Sequence, residues 1–167
     1  KAGTVISITI FGKADTRGIF YRHTAKAGDL VCVSGDFGAS SHFLNNIKTS
    51  PHKQKHLRPE PQLNLAKEIF KTVDTGTVMD ASDGLAQALW EISQKSNKNI
   101  FIDAAKVPKA ADISMSEALY GGEDYQLVGT FKKVPDNFAL IGKVESLNNE
   151  AEARAKVIEL TSNEILL

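Results

Sequence analysis

Thr77-Val78-Met79-Asp80-Ala81-Ser82-Asp83-Gly84-Leu85 places two carboxylates and a hydroxyl where a short apolar strand gives way to an amphipathic helix. Leu85, Leu89 and Ile92 recur at helical spacing, which predicts a helix over 83–96. Ser82 or Asp83 is suited to be its N-cap. The first turn of a helix offers free N–H groups and a partial positive charge, and both favour phosphate. Two aspartates at the same corner would repel a phosphate unless a cation lay between them. Carboxylate oxygens are hard ligands for Mg²⁺, an ion commonly held by one or two carboxylates together with substrate phosphates. One reading of the corner is therefore a Mg²⁺–phosphate site. The other is an ordinary helix capped by Ser or Asp, with a spare surface acid. Local chemistry leaves both open.

On the N-terminal side, Val5 to Phe11 alternates, with Ile6, Ile8 and Ile10 on one face and Ser7 and Thr9 on the other. That pattern predicts a half-buried strand. A polar connection over 12–18 leads to the basic segment Arg22 to Asp29 and then to a short buried strand over 30–34. Arg22 is either an exposed loop arginine or a phosphate ligand, since its planar fork suits paired oxygens. Gly35 to Ser41 holds glycines at a spacing that matches no P-loop, so it reads as a tight turn into a helix carrying Phe43, Leu44 and Ile47. Thr49 to Arg58 is polar and reads as a mobile surface loop. His52 and His56 lack carboxylate or cysteine neighbours there, and Pro51 breaks the segment, so no metal site is argued from them. His23 and His42 carry no signal of their own. Pro59-Glu60-Pro61 opens a helix whose buried stripe is Leu63, Ala66, Ile69, Phe70 and Val73.

Beyond the corner, Ile100-Phe101-Ile102 is a short strand, and Ser114 or Ser116 caps a short helix through Leu119. Gly121-Gly122 breaks the chain before a strand over 125–131, so Glu123 and Asp124 stand at its mouth, where a plain structural turn is the alternative to a site. Strands follow over 138–144 and 156–160, with a polar loop over 145–154 between them. Strands alternating with helices predict an α/β (α+β) fold, a mixed sheet covered by helices.

The chain has 167 residues, with Lys plus Arg and Asp plus Glu at 20 each. That length buries a real core as one domain, or one and a bit. The charge balance implies no nucleic-acid or membrane-surface partner. No apolar run approaches membrane-spanning length, and no signal-peptide layout stands at the N-terminus. Cys32 is the only cysteine, which excludes an internal disulfide and suits a reducing, cytoplasmic setting. In Leu30-Val31-Cys32-Val33 it reads as a buried, inert thiol. There is no Ser-His-Asp set and no activated cysteine to suggest nucleophilic catalysis.

Asp80-Ala81-Ser82-Asp83-Gly84-Leu85 and Gly121-Gly122-Glu123-Asp124-Tyr125-Gln126-Leu127, together with Arg22 to Asp29 and His56-Leu57-Arg58-Pro59-Glu60-Pro61, resemble four ordered motifs of the thiamine-monophosphate kinases. The family shares the fold of aminoimidazole ribonucleotide synthetase, selenophosphate synthetase and the hydrogenase-maturation dehydratase. The resemblance implies two domains in a homodimeric, ATP- and Mg²⁺-dependent enzyme that phosphorylates thiamine phosphate to thiamine diphosphate. Residues 1–14 would be the remnant of an N-terminal ATP-binding domain, its last strand, and residues 15–167 the C-terminal domain. Asp80 and Asp83 would ligate Mg²⁺, Arg22 and Ser82 would contact ATP, and Glu123 would contact thiamine phosphate. Gln62 stands where an arginine is usual, and residues 162–167 offer no aromatic residue of the kind that closes over the thiamine ring. The acid-rich segments expected upstream are missing, so this piece is expected to have little activity alone. Two alternatives are a sister synthetase acting on another substrate and a non-catalytic module that binds a partner or nucleotide.

Overall fold

The computed structural model describes residues 3–14, 18–147, 154–158 and 164–166. Its strands are β1 (Leu30–Val33), β2 (Gly76–Asp80), β3 (Asn99–Asp103), β4 (Leu127–Phe131), β5 (Ala139–Glu145), β6 (Ala155–Ile158) and β7 (Glu164–Leu166). They form one mixed sheet in the order β2-β4-β1-β5-β3-β6-β7, with the β3–β6 pair parallel and the others antiparallel. β1 lies inside the sheet, between β4 and β5, and its Val31, Cys32 and Val33 are apolar and fully buried, so the strand needs cover on both faces.

Five helices supply that cover: α1 (Ala39–Asn45), α2 (Lys53–Leu57), α3 (Leu63–Thr72), α4 (Leu85–Ser96) and α5 (Met115–Tyr120). α4 turns Leu85, Leu89 and Ile92, all fully buried, onto a core that includes Val31, Val33, Ile100, Val128 and Ile141. On the opposite face, α3 lays Ile69 against Cys32, Phe131 and Phe138. The expected mixed sheet covered by helices is what the chain forms.

Several local expectations are corrected. Residues 5–11 form no strand: Val5, Ile6, Ile8, Ile10 and Phe11 are each more than three-quarters exposed. Alternation makes a strand possible, but a ladder needs a partner, and none of the described strands pairs with this segment. The 49–58 segment contains α2 rather than only loop, anchored where His56 Nδ1 meets Ser40 Oγ at 2.7 Å and its ring packs on Phe43. α1 stops at Asn45, which leaves Ile47 outside the helix and exposed. α3 starts at Leu63, two residues after Pro61, and Leu63 itself faces solvent. The strand expected from Tyr125 begins at Leu127, because Glu123 and Tyr125 both take positive φ, 66° and 53°. β7 had no sequence signal strong enough to predict it, and the 148–153 part of the expected loop lies outside the described residues.

The corner between β2 and α4 differs most instructively. α4 begins at Leu85, and its N-cap position is Gly84, with φ 103° and ψ 156° and no side-chain cap. Only glycine adopts that backbone readily. Neither Ser82 nor Asp83 caps the helix. A Cβ on Gly84 would lie 3.0 Å from the Gly121 carbonyl oxygen, and one on Gly122 would lie 2.6 Å from that of Ser82. The Glu123 N–H donates to the Ser82 carbonyl at 2.8 Å. The two glycine-bearing motifs are thus stapled backbone to backbone. α5 delivers the second of them, held by a capping box in which the Ser114 N–H and hydroxyl keep the Glu117 carboxyl down at about 2.

Gly84→Ala is expected to lower unfolding stability by about 1–3 kcal/mol through strain at this φ, read as a fall in the urea midpoint with unchanged slope. Burial pushes the Cys32 thiol up to about 12. Ellman's reagent at mildly alkaline pH should therefore leave Cys32 unmodified in the folded chain and label it fully once the chain is denatured.

Candidate metal and phosphate site

β2 ends at Asp80, and the next four residues cross to the start of α4 at Leu85, so both aspartates and Ser82 are presented at one end of the sheet. A hollow of about 210 Å³ opens there, lined by Arg22, Asp80, Ser82, Asp83, Gln87 and Glu91, among others. Four of the five residues singled out from the sequence therefore meet around one space. The Asp80 and Asp83 side chains are exposed to it, and neither they nor the Ser82 hydroxyl has a hydrogen-bond or ion-pair partner among the described residues. Free of capping duty, they remain available to a ligand.

Arg22 reaches the rim from the segment before β1. Its guanidinium lies 3.6 Å from the Glu91 carboxylate, and its carbonyl accepts from Ser96 Oγ at 3.4 Å. With the arginine side chain 55% exposed, the ion pair orients the fork more than it stabilises the fold.

Glu123 stands beside the hollow rather than among its lining residues. Its backbone is bound to Ser82, and its carboxylate accepts the Tyr125 hydroxyl at 2.8 Å. That hydrogen bond, reinforced by the negative charges of Glu123, Asp80 and Asp83, raises the Tyr125 phenol above its ordinary value. The three acids thus share one local field. Asp124 faces the other way, accepting the N–H groups of Gly38 at 2.6 Å and Ser40 at 3.1 Å at the start of α1. Burial pushes its carboxyl up, against the lowering effect of those N–H groups. It ties the turn to the body of the domain.

Gln87, Glu91 and Tyr125 were not anticipated. Gln87 and Glu91 follow Asp83 at steps of four, so helical spacing could have placed them on the same face. Tyr125 reaches Glu123 only through the positive-φ turn, which has no counterpart in side-chain periodicity.

Among the described residues, no group of three or more His, Cys, Asp or Glu side chains is arranged to hold a metal by itself. Two unpartnered carboxylates at an open hollow do match Mg²⁺ that completes its shell with substrate phosphate and water. The histidines lie elsewhere. His52 Nε2 is 3.0 Å from Asp112 Oδ2, His42 Nδ1 is 3.2 Å from Glu117 Oε1, and the two rings pack edge to face. Another hollow, about 360 Å³, opens around Gly76 at the far end of β2, where Asp29 is already engaged by Lys132 at 2.8 Å.

No protein-family model matches the chain. The thiamine-monophosphate kinase of Pyrococcus horikoshii is 34% identical over 154 residues, covering 83% of this chain and 50% of the relative. The crystal structure of thiamine monophosphate kinase from Aquifex aeolicus superposes with a TM-score of 0.72 at 28% identity, over 89% of this chain and 55% of that one. The structure of AaThiL complexed with AMPPCP and TMP gives 0.67 at 28%, over 88% and 53%. The chain spans about half the length of the curated relatives it matches. Over about half of their length, the thiamine-monophosphate kinases are what this chain is similar to, both in sequence and in fold.

Proposed function

We propose that these residues form part of the site of a kinase that transfers the γ-phosphoryl group of ATP to the terminal phosphate of thiamine phosphate, giving thiamine diphosphate. The observation that carries this reading is the gathering of Arg22, Asp80, Ser82 and Asp83 around one hollow with no internal partner for the two carboxylates or the serine hydroxyl. Kinases of the family match most of the chain, and one neighbouring structure is complexed with AMPPCP and TMP.

In this reading Asp80 and Asp83 hold Mg²⁺, which, when bound, neutralises charge on the phosphates. Arg22 offers a planar pair of donors to phosphate oxygens, with Glu91 fixing its direction. Ser82 donates its hydroxyl to ATP, and Glu123 contacts thiamine phosphate. Phosphoryl transfer needs positioning and charge neutralisation rather than a protein nucleophile. The open edge of the hollow is where further groups of the intact enzyme would close over the substrates. The protein acts as a homodimer in the cytoplasm.

Calorimetric titration of the 167-residue chain with AMPPCP tests the reading. Binding is expected with Mg²⁺ and not with EDTA, weakened about tenfold or more by Asp80→Asn or Asp83→Asn. Binding that survives both chelation and the two substitutions would remove the metal–phosphate role. Because the chain spans half of its relatives, it should form little thiamine diphosphate alone in a coupled assay; turnover at the rate of an intact kinase would contradict the division of the site.

A further inference from the structure

At the end of β2 away from Asp80, a strap of residues 19–26 crosses the foot of the sheet and encloses the hollow of about 360 Å³. The strap is pinned at three points. Thr24 Oγ1 donates to the Gly76 carbonyl at 2.8 Å, the Ala25 N–H donates to Ser96 Oγ at 3.2 Å, and the Phe20 ring packs edge to face with Phe70, centroids 5.7 Å apart. The walls are therefore preformed, and the volume falls in the range of small-molecule sites. One side is apolar, from Ile19, Phe20, Phe70 and Val73, and the other carries Lys26, Asp29, Asp74 and Lys132. Asp29, its side chain only 5% exposed, is satisfied within the fold, accepting the Lys132 ammonium at 2.8 Å and the Lys26 backbone N–H at 2.8 Å. The Lys26 ammonium and the Asp74 carboxylate belong to exposed residues and have no partner among the described residues. The cavity thus offers an aromatic wall and one spare charge of each sign. None of its lining residues lines the phosphate hollow.

We propose that this cavity binds an aromatic zwitterion, a flat ring carrying one carboxylate and one ammonium group, of which a free aromatic amino acid is the simplest case. Its carboxylate pairs with the Lys26 ammonium and with the Lys132 N–H groups that Asp29 leaves free. Its ammonium pairs with Asp74, and its ring lies on the Phe20–Phe70 wall, which removes apolar surface from water. The two spare charges discriminate against simpler ligands. An aromatic anion would bring like charge beside Asp74, an aromatic cation would do the same beside Lys26, and a zwitterion without a ring would leave the apolar wall wet. The strap also carries Arg22, between Phe20 and Thr24, to the phosphate hollow, so a ligand seated here rests on the segment that presents that arginine. The inference does not depend on the kinase reading, since it uses neither the acids of the β2–α4 corner nor a metal.

Amide NMR spectra of the 167-residue chain, titrated with L-phenylalanine in the absence of metal and nucleotide, test the proposal. Saturable shifts are expected, largest at residues 19–26, 70–76 and 132. Phenylacetate, phenethylamine and L-alanine, which lack the ammonium, the carboxylate and the ring in turn, should each need about fivefold more to half-saturate. Lys26→Gln and Asp74→Asn, both at exposed positions, should each raise the half-saturating concentration of L-phenylalanine about fivefold. The dispersion of the variants' own amide spectra reports that they are folded. The proposal is overturned if no saturable shift appears through the millimolar range, or if the largest shifts lie elsewhere. It is equally overturned if any of the three partial analogues binds as tightly as L-phenylalanine, or if either variant binds it as tightly as the unaltered chain.

Discussion

The structure of the site depends on one backbone contact, the hydrogen bond from the Glu123 N–H to the Ser82 carbonyl at 2.8 Å. It joins two stretches forty residues apart in sequence, and it is possible only because Gly84 and Gly122 let the chains approach within a distance that a side chain would block. Around that contact, α4 turns away beneath the sheet and α5 ends against it. The carboxylates of Asp80 and Asp83 are left at the surface with nothing to do in the fold itself. A protein that gathers unpartnered like charges loses stability by their repulsion, and the arrangement makes physical sense when a cation and an anionic substrate fill the gap.

Division of labour inside the second motif follows from the same turn. Positive φ at Glu123 and at Tyr125 sends successive side chains in opposing directions. Glu123 joins the acidic field at the corner, and Asp124 turns inward to hold the start of α1 through the N–H groups of Gly38 and Ser40. Two adjacent acids therefore face different ways, one toward the acidic corner and one binding the scaffold. The same helix junction brings Trp90 of α4 and Tyr120 of α5 to one opening beside Asp83.

Much of this was legible from residue pattern. The periodicity of Leu85, Leu89 and Ile92 identified the buried face of α4, and the alternation of turn and strand signals gave a mixed sheet covered by helices. The meeting of Arg22 with Asp80, Ser82 and Asp83 was suggested by likeness to a family and not by periodicity; the hollow between them shows it as geometry. What could not be read were features set by tertiary context. Residues 5–11 alternate like a strand but lie exposed, because alternation describes one chain and pairing requires two. Ser82 and Asp83 have the chemistry of helix caps, yet Gly84 takes the cap position once the second glycine motif packs against it. His42 and His52, unremarkable in sequence, meet carboxylates contributed by residues sixty to seventy-five positions away. The exposure of Trp90 was hidden for a similar reason, since its surroundings depend on where α5 ends.

The central claim is that the acids at the β2–α4 corner hold a divalent ion jointly with a phosphate. Paramagnetic Mn²⁺, substituted for Mg²⁺ in amide NMR spectra of the chain, tests it most directly. Broadening confined to the amides of residues 80–84 and 122–125, and strengthened when AMPPCP is added, is the predicted result. Broadening centred on His42, His52 and Asp112 instead, or indifferent to AMPPCP, would contradict it.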